Sequence, residues 1–217
     1  MGKVGTVLKN YFSGFKFVPR VMLHPFKGFW ELKHDGMARL SVSITLVVMY
    51  ILSEIIYEQF AAYSFNVYAI SPWNIDIVGL AVQTALILGL WCASNWGLTT
   101  LFEGEGSALD VFHYTAYSLA PIIIITLILT PISHIMSADE AAIFSFVQGL
   151  GTAWAGLLLF IGTMTTHQYG ALRTLVTIFF IIFGMLLLVF IGLLFFFLLQ
   201  QLVSLVYAIY REITMRY

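Results

Sequence analysis

The 217-residue sequence predicts an all-α, polytopic integral membrane protein with five transmembrane helices preceded by an N-terminal amphipathic interfacial helix or helices. Composition and the grouping of apolar residues carry the prediction. Hydrophobic residues make up 60% of the chain and charged residues 10%, against about 25% charged residues in ordinary soluble domains. Mean hydropathy is +0.94. A soluble fold of this composition would lack polar cover for its outside. The apolar residues fall into five runs, each near or above the roughly 20 residues that cross a bilayer. An ordinary soluble enzyme and a disordered tail are excluded on the same grounds. A net charge of −1 argues against nucleic acid as a partner, since binding to it rests on neutralising phosphates.

Residues 1–39 read as a cytoplasmic amphipathic arm. Val4, Val7, Leu8, Tyr11, Phe12, Phe15 and Val18 recur at helical spacing, with Lys9, Lys16 and Arg20 opposite. Pro25 breaks the helix, and Phe26, Phe29 and Trp30 then cluster on one face. Such a face either lies along the inner leaflet or docks into a groove of another membrane protein. Phe12, Phe15, Phe26, Phe29 and Trp30 are the candidate partner-binding residues. The first strongly apolar stretch begins only near residue 40, so no signal peptide is expected.

The transmembrane domain is expected over residues 40–210. Its first span, Leu40–Phe60, carries Glu54 and Glu58 one helical turn apart. A carboxylate in hydrocarbon has to be shallow, protonated or partnered, so Glu54 is either a structural hydrogen-bonding group or a proton or cation site. The second span, residues 74–101, follows Ser71-Pro72, a hydroxyl cap with proline at the first helical position. Its Cys92 is the one cysteine and reads as a small core residue.

The third span, residues 109–136, opens with a capping box from Ser107 to Asp110. Pro121 and Pro131 each remove a helix hydrogen bond and predict kinks. His113 lies one turn beyond Asp110; together with Glu103 and Glu105 these side chains either make a metal site or serve helix capping and loop solvation, the cheaper reading. The fourth span, Ala141–His167, follows a second capping box from Ser137 to Glu140. Gly149 with Ala153 and Gly151 with Ala155 have the spacing of closely packed helices, expected to serve internal contacts ahead of homodimerisation. The fifth run begins near Thr174 and continues to about Tyr207. Residues 174–210 as one helix would be about 55 Å long against a hydrocarbon core of about 30 Å. It must tilt, bend or project, and its phenylalanines surround it on all sides.

Seven of the ten lysines and arginines precede the first span, Arg173 lies between the fourth and fifth, and Arg211 and Arg216 follow the fifth. The positive-inside rule places the N-terminus in the cytoplasm, and five crossings then leave residues 211–217 as a short extracytoplasmic tail. The five histidines, among them His113, show no HExxH spacing. No GxSxG elbow is present, and Glu103-Gly104-Glu105-Gly106 would repel a phosphate. No enzyme activity, cofactor or metal is expected.

The string from Asn95-Trp96-Gly97-Leu98 through Phe102-Glu103-Gly104-Glu105-Gly106, then Asp110-Val111-Phe112 and Thr115-Ala116-Tyr117-Ser118-Leu119-Ala120-Pro121, resembles the bacterial branch of the Yip (Rab/Ypt-interacting protein) domain family. His24-Pro25-Phe26-Lys27-Gly28-Phe29-Trp30-Glu31-Leu32-Lys33 resembles the same branch. The resemblance covers most of the first 135 residues, and the last two spans match only in hydrophobicity. It implies a five-span protein with a cytoplasmic N-terminus in a bacterial plasma membrane. The small-GTPase and vesicle-traffic roles of eukaryotic members do not carry over to this short N-terminal arm. Bacterial relatives often occur beside carbohydrate ABC-importer permeases, and the family offers no catalytic residues to transfer. The expectation is a non-catalytic accessory or scaffold subunit, with lipid and ABC permease subunits as partners. The competing expectation is a small oligomeric transporter or channel using Glu54 and the kinked third span.

Overall fold

The computed structural model describes Tyr11, residues 14–62, Phe65 and residues 76–215. Phe12 and the Ser71-Pro72 start signal lie outside them. All regular structure among the described residues is helical. Two short arm helices, α1 (Phe17–Leu23) and α2 (Pro25–His34), precede α3 (Leu40–Phe60) and α4 (Ile77–Leu101). The third span is split into α5 (Ala108–Ser118) and α6 (Ala120–Ile132). A 3₁₀ turn, Ala138–Glu140, leads into α7 (Ala141–His167), and α8 runs over Ala171–Met215. Five helical stretches are long and apolar enough to cross a membrane, with α5 and α6 counted together.

Local chemistry accounts for several boundaries. Asp76 caps α4 by accepting from the Gly79 N–H at 2.7 Å, so that α4 begins at Ile77, three residues beyond the expected start at 74. The Ser107–Asp110 box opens α5, with Asp110 Oδ2 accepting from the Ser107 N–H at 2.9 Å. Ser137 and Glu140 form the second box, at the 3₁₀ turn. Pro121 lacks an N–H, so it sits in the first turn of α6, where that donor has no helical role. Just before it, the Leu119 N–H turns to the Ala116 carbonyl at 3.3 Å, one residue tighter than an α-helix. Pro131 lies within the last turn of α6, which ends at Ile132. The third span is therefore two helices closing at 132, where the hydropathy run continues to 136.

The third span is the most buried of the five and forms the axis of the bundle. α3 and α7 pack against it from two sides, and α4 with α8 forms an outer pair. Val42, Leu46, Val111, Tyr114, Tyr117, Ile123, Leu158 and Ile161 make the core. Gly151 lies so close to α6 that a Cβ there would stand 2.7 Å from Ile125 Cδ1, whereas Gly149 faces open space. Of the two small-residue pairs, Gly151 with Ala155 thus serves internal packing.

The arm joins this core. Val21, Phe29 and Leu32 are buried in it, and Phe29 meets Tyr114 edge-on at 6.4 Å. Gly28 lets α2 close on α1, since a Cβ would stand 2.8 Å from Val21 Cα. Tyr117 Oη donates to the Gly14 carbonyl at 3.2 Å, and Tyr11 Oη stands 2.9 Å from Thr45 Oγ1. Arg20 and Glu31 pair at 2.7 Å across the two arm helices. Sequence alone offers lipid or another protein as cover for the apolar face of the arm; the chain's own spans take that place at Val21, Phe29 and Leu32.

Candidate functional site

Polar side chains gather on the arm side of the bundle, where α2, the ends of α4 and α7, and the starts of α3, α5 and α8 meet. Tyr114 is their centre, fully buried on α5. Its hydroxyl accepts from Asn95 Nδ2 at 2.6 Å and stands 3.1 Å from Thr163 Oγ1. Thr163 also bonds the Leu159 carbonyl at 2.8 Å. One phenol therefore ties α4, α5 and α7 together. Gly162 permits the contact, because a Cβ there would stand 2.7 Å from the Tyr114 ring. Trp91 Nε1 donates to Thr115 Oγ1 at 3.1 Å, and Ser43 Oγ lies 2.7 Å from His113 Nδ1. In apolar surroundings such bonds act as interhelical glue.

Nearer the bundle end, Lys33 on α2 donates to the Thr166 carbonyl at 2.7 Å and faces Glu105 at 3.6 Å. His167 Nδ1 accepts from the Gly106 N–H at 3.3 Å, which leaves the ring proton of a neutral imidazole on Nε2. That atom and Asn95 Oδ1 are buried without hydrogen-bond partners among the described residues. The 102–107 loop is threaded tightly here. A Cβ on Gly104 would stand 2.6 Å from Tyr169 Oη and 3.0 Å from the Thr99 carbonyl, and one on Gly106 would stand 2.6 Å from His167 Cε1. Tyr169 Oη donates to the Phe102 carbonyl at 3.0 Å, and Arg173 donates to that same carbonyl. A cavity of about 10 Å3 lined by Lys33, Asp110, His113, Tyr114 and Thr166 lies in the middle, enough for about one water.

The residues proposed from sequence are dispersed over this frame. His113 belongs to the polar cluster and bonds Ser43. Asp110 serves the α5 cap and Glu105 faces Lys33; among the described residues no group of three metal-ligating side chains comes together. Glu54 and Glu58 are half-buried on α3, remote in sequence from the cluster. Pro121 and Pro131 shape the third span as described. Phe29 is 1% exposed, inside the core, while Phe26 at 55% and Trp30 at 48% face outward. Phe15 is half-buried against the core. Tyr114, Asn95, Thr163 and Tyr169 are not among the candidate site residues read from the sequence, where Asn95 enters only as part of the family-like string. Their signal was the recurrence of polar groups one turn apart in apolar runs, as at Trp91, Asn95 and Thr99.

No curated protein and no solved structure matches the chain. The model of the Yip1 domain matches residues 20–194. That interval begins inside α1, takes in the arm helices, the capped loop and the Tyr114 cluster, and ends within α8. It covers well over half of the sequence, and the chain belongs to the Yip1 domain family of membrane proteins.

Proposed function

We propose that this multi-pass membrane protein is a non-catalytic accessory subunit that binds other integral membrane proteins, specifically the permease subunits of an ABC-type carbohydrate importer in a bacterial plasma membrane. The observation that carries the reading is the outer part of α8. Ile181 is its last buried residue, and residues 186–215 are exposed without exception. The helix has 45 residues, about 68 Å at 1.5 Å per residue, where the hydrocarbon core is about 30 Å. Lipid alone covers so long an apolar helix only at a steep tilt. A partner membrane protein with parts reaching beyond the hydrocarbon core would cover the length that lipid does not. Apolar area in a bilayer does not itself drive association, so specificity falls to shape and to polar anchors. Gln200, Gln201 and Arg211 on α8, and Lys27 beside exposed Phe26 and Trp30 on the arm, are such anchors. The importer enters through the resemblance to bacterial relatives found beside carbohydrate permeases. A photo-crosslinking residue in place of Phe190 or Phe197 tests the reading in intact membranes. Adducts with permease subunits are expected; adducts with lipid alone, or only with a second copy of this chain, would overturn it.

A second reading, an oligomeric transporter or channel, rests on Glu54, half-buried in the first span one turn from Glu58, and on the break at Pro121.

A further inference from the structure

We propose that the groove where α8 begins is a binding site for one anionic phospholipid. The groove, about 320 Å3, is lined by Phe102, Leu172, Arg173, Val176, Thr177 and Phe180. Leu172, Val176 and Phe180 follow one another at four-residue spacing and make an apolar stripe along the helix. The Phe102 ring closes over it, 6.0 Å from that of Phe180.

The lining holds a single charge, Arg173, at its arm-side mouth. Its guanidinium is held from behind: it donates to the Phe102 carbonyl and lies over the Tyr169 ring, 4.4 Å from the centroid. A guanidinium has five N–H donors in a fixed fork, so one anchored there still presents others outward. No described carboxylate pairs with it. The first helical bond at this end runs from the Thr174 N–H to the Gly170 carbonyl at 2.9 Å. The preceding amides therefore lie at the positive end of a long helix, which also favours an anion.

The order of these groups is that of a lipid. The cation sits level with the loops at the bundle end, and the apolar stripe runs inward from it. From Leu172 to Phe180 the rise is about 12 Å, close to the depth of one leaflet, about half of a 30 Å core. A free phosphate would use only the mouth and leave the apolar stripe uncovered; Glu103, within electrostatic reach of Tyr169, opposes any anion there, so the stripe has to supply the difference. A zwitterionic lipid would use the stripe and gain little from Arg173. An anionic phospholipid uses both.

Protein purified in mild detergent is titrated with phosphatidylglycerol or with phosphatidylcholine of the same chains, and bound lipid is counted by native mass spectrometry. One phosphatidylglycerol should bind about fivefold more tightly than phosphatidylcholine, the effect of one interfacial cation. Arg173→Gln should abolish the preference. Val176→Trp keeps every charge, fills the groove and should lower binding of both lipids. Equal affinity for the two lipids in the unaltered protein overturns the proposal, as does phosphatidylglycerol binding unaffected by Val176→Trp. Because Arg173 also ties α8 to the 102–107 loop, thermal unfolding is followed in parallel; if Arg173→Gln does not fold, Val176→Trp decides alone.

Discussion

Tyr114 joins three helices through one side chain. Its ring fills the space that Gly162 leaves open, and its hydroxyl answers donors or acceptors on two other helices. Tyr114→Phe keeps the ring and deletes the hydroxyl, leaving Asn95 Nδ2 buried without that acceptor. The expected loss is about 1 kcal/mol, the scale of interhelical hydrogen bonds in membranes. Unfolding in mixed micelles measures it, and a variant as stable as the parent would remove the hub from the account. Glu54 lies on α3, away from this cluster, and calls for a different measurement. As a structural group, Glu54→Gln should preserve folding and partner recovery at every pH, because the amide keeps size and hydrogen-bonding capacity. Loss of a pH- or ion-dependent activity in that variant would move the function toward transport.

Among the elements, the arm and the outer part of α8 contrast in what they bury. The arm is short and polar on one side, yet Val21, Phe29 and Leu32 enter the core. α8 is the longest helix described and contributes only Thr174, Thr177 and Ile181 to buried positions. Two neighbouring rings on α2 separate the structural face from the outward one. Phe29→Ala should destabilise the bundle by about 3 kcal/mol, as truncation of a buried phenylalanine does. Trp30→Ala, which removes an exposed ring stacked on His34 at 4.5 Å, should change stability by less than about 0.5 kcal/mol. Thermal unfolding of the two variants provides the comparison. If Trp30→Ala also weakens co-purification of a partner at unchanged stability, the outer face of the arm is a contact surface; undiminished recovery would leave α8 as the sole candidate.

At the scale of the molecule, the five spans give each end of the bundle a side of the membrane. Reporter fusions near residue 20 and in the Gly104 loop should report the cytoplasm, and fusions at residue 138 and the C-terminus the opposite side, following the excess of basic residues before Leu40. A cytoplasmic C-terminus would mean that α8 does not cross as one span. Much of this level was legible in the chain itself. Span number, the capping boxes at Ser107 and Ser137 and the interruption at Pro121 rest on hydrophobic run length and on bonds between residues three or four apart. Such signals are local, so no partner element is needed to read them. Which surfaces meet is a different kind of information. In a bilayer a phenylalanine is satisfied equally by lipid, by a partner or by its own chain, so periodicity cannot say that Phe29 turns inward while Trp30 turns outward. The choice depends on the shape of the facing helix: Gly162 admitting Tyr114, Gly28 admitting Val21, Gly104 admitting Tyr169. Run length and capping chemistry determined the spans from sequence alone; only the tertiary structure decided that the arm closes on the third and fourth spans and that α8 leaves the bundle after Ile181, because close packing is a relation between surfaces distant along the chain.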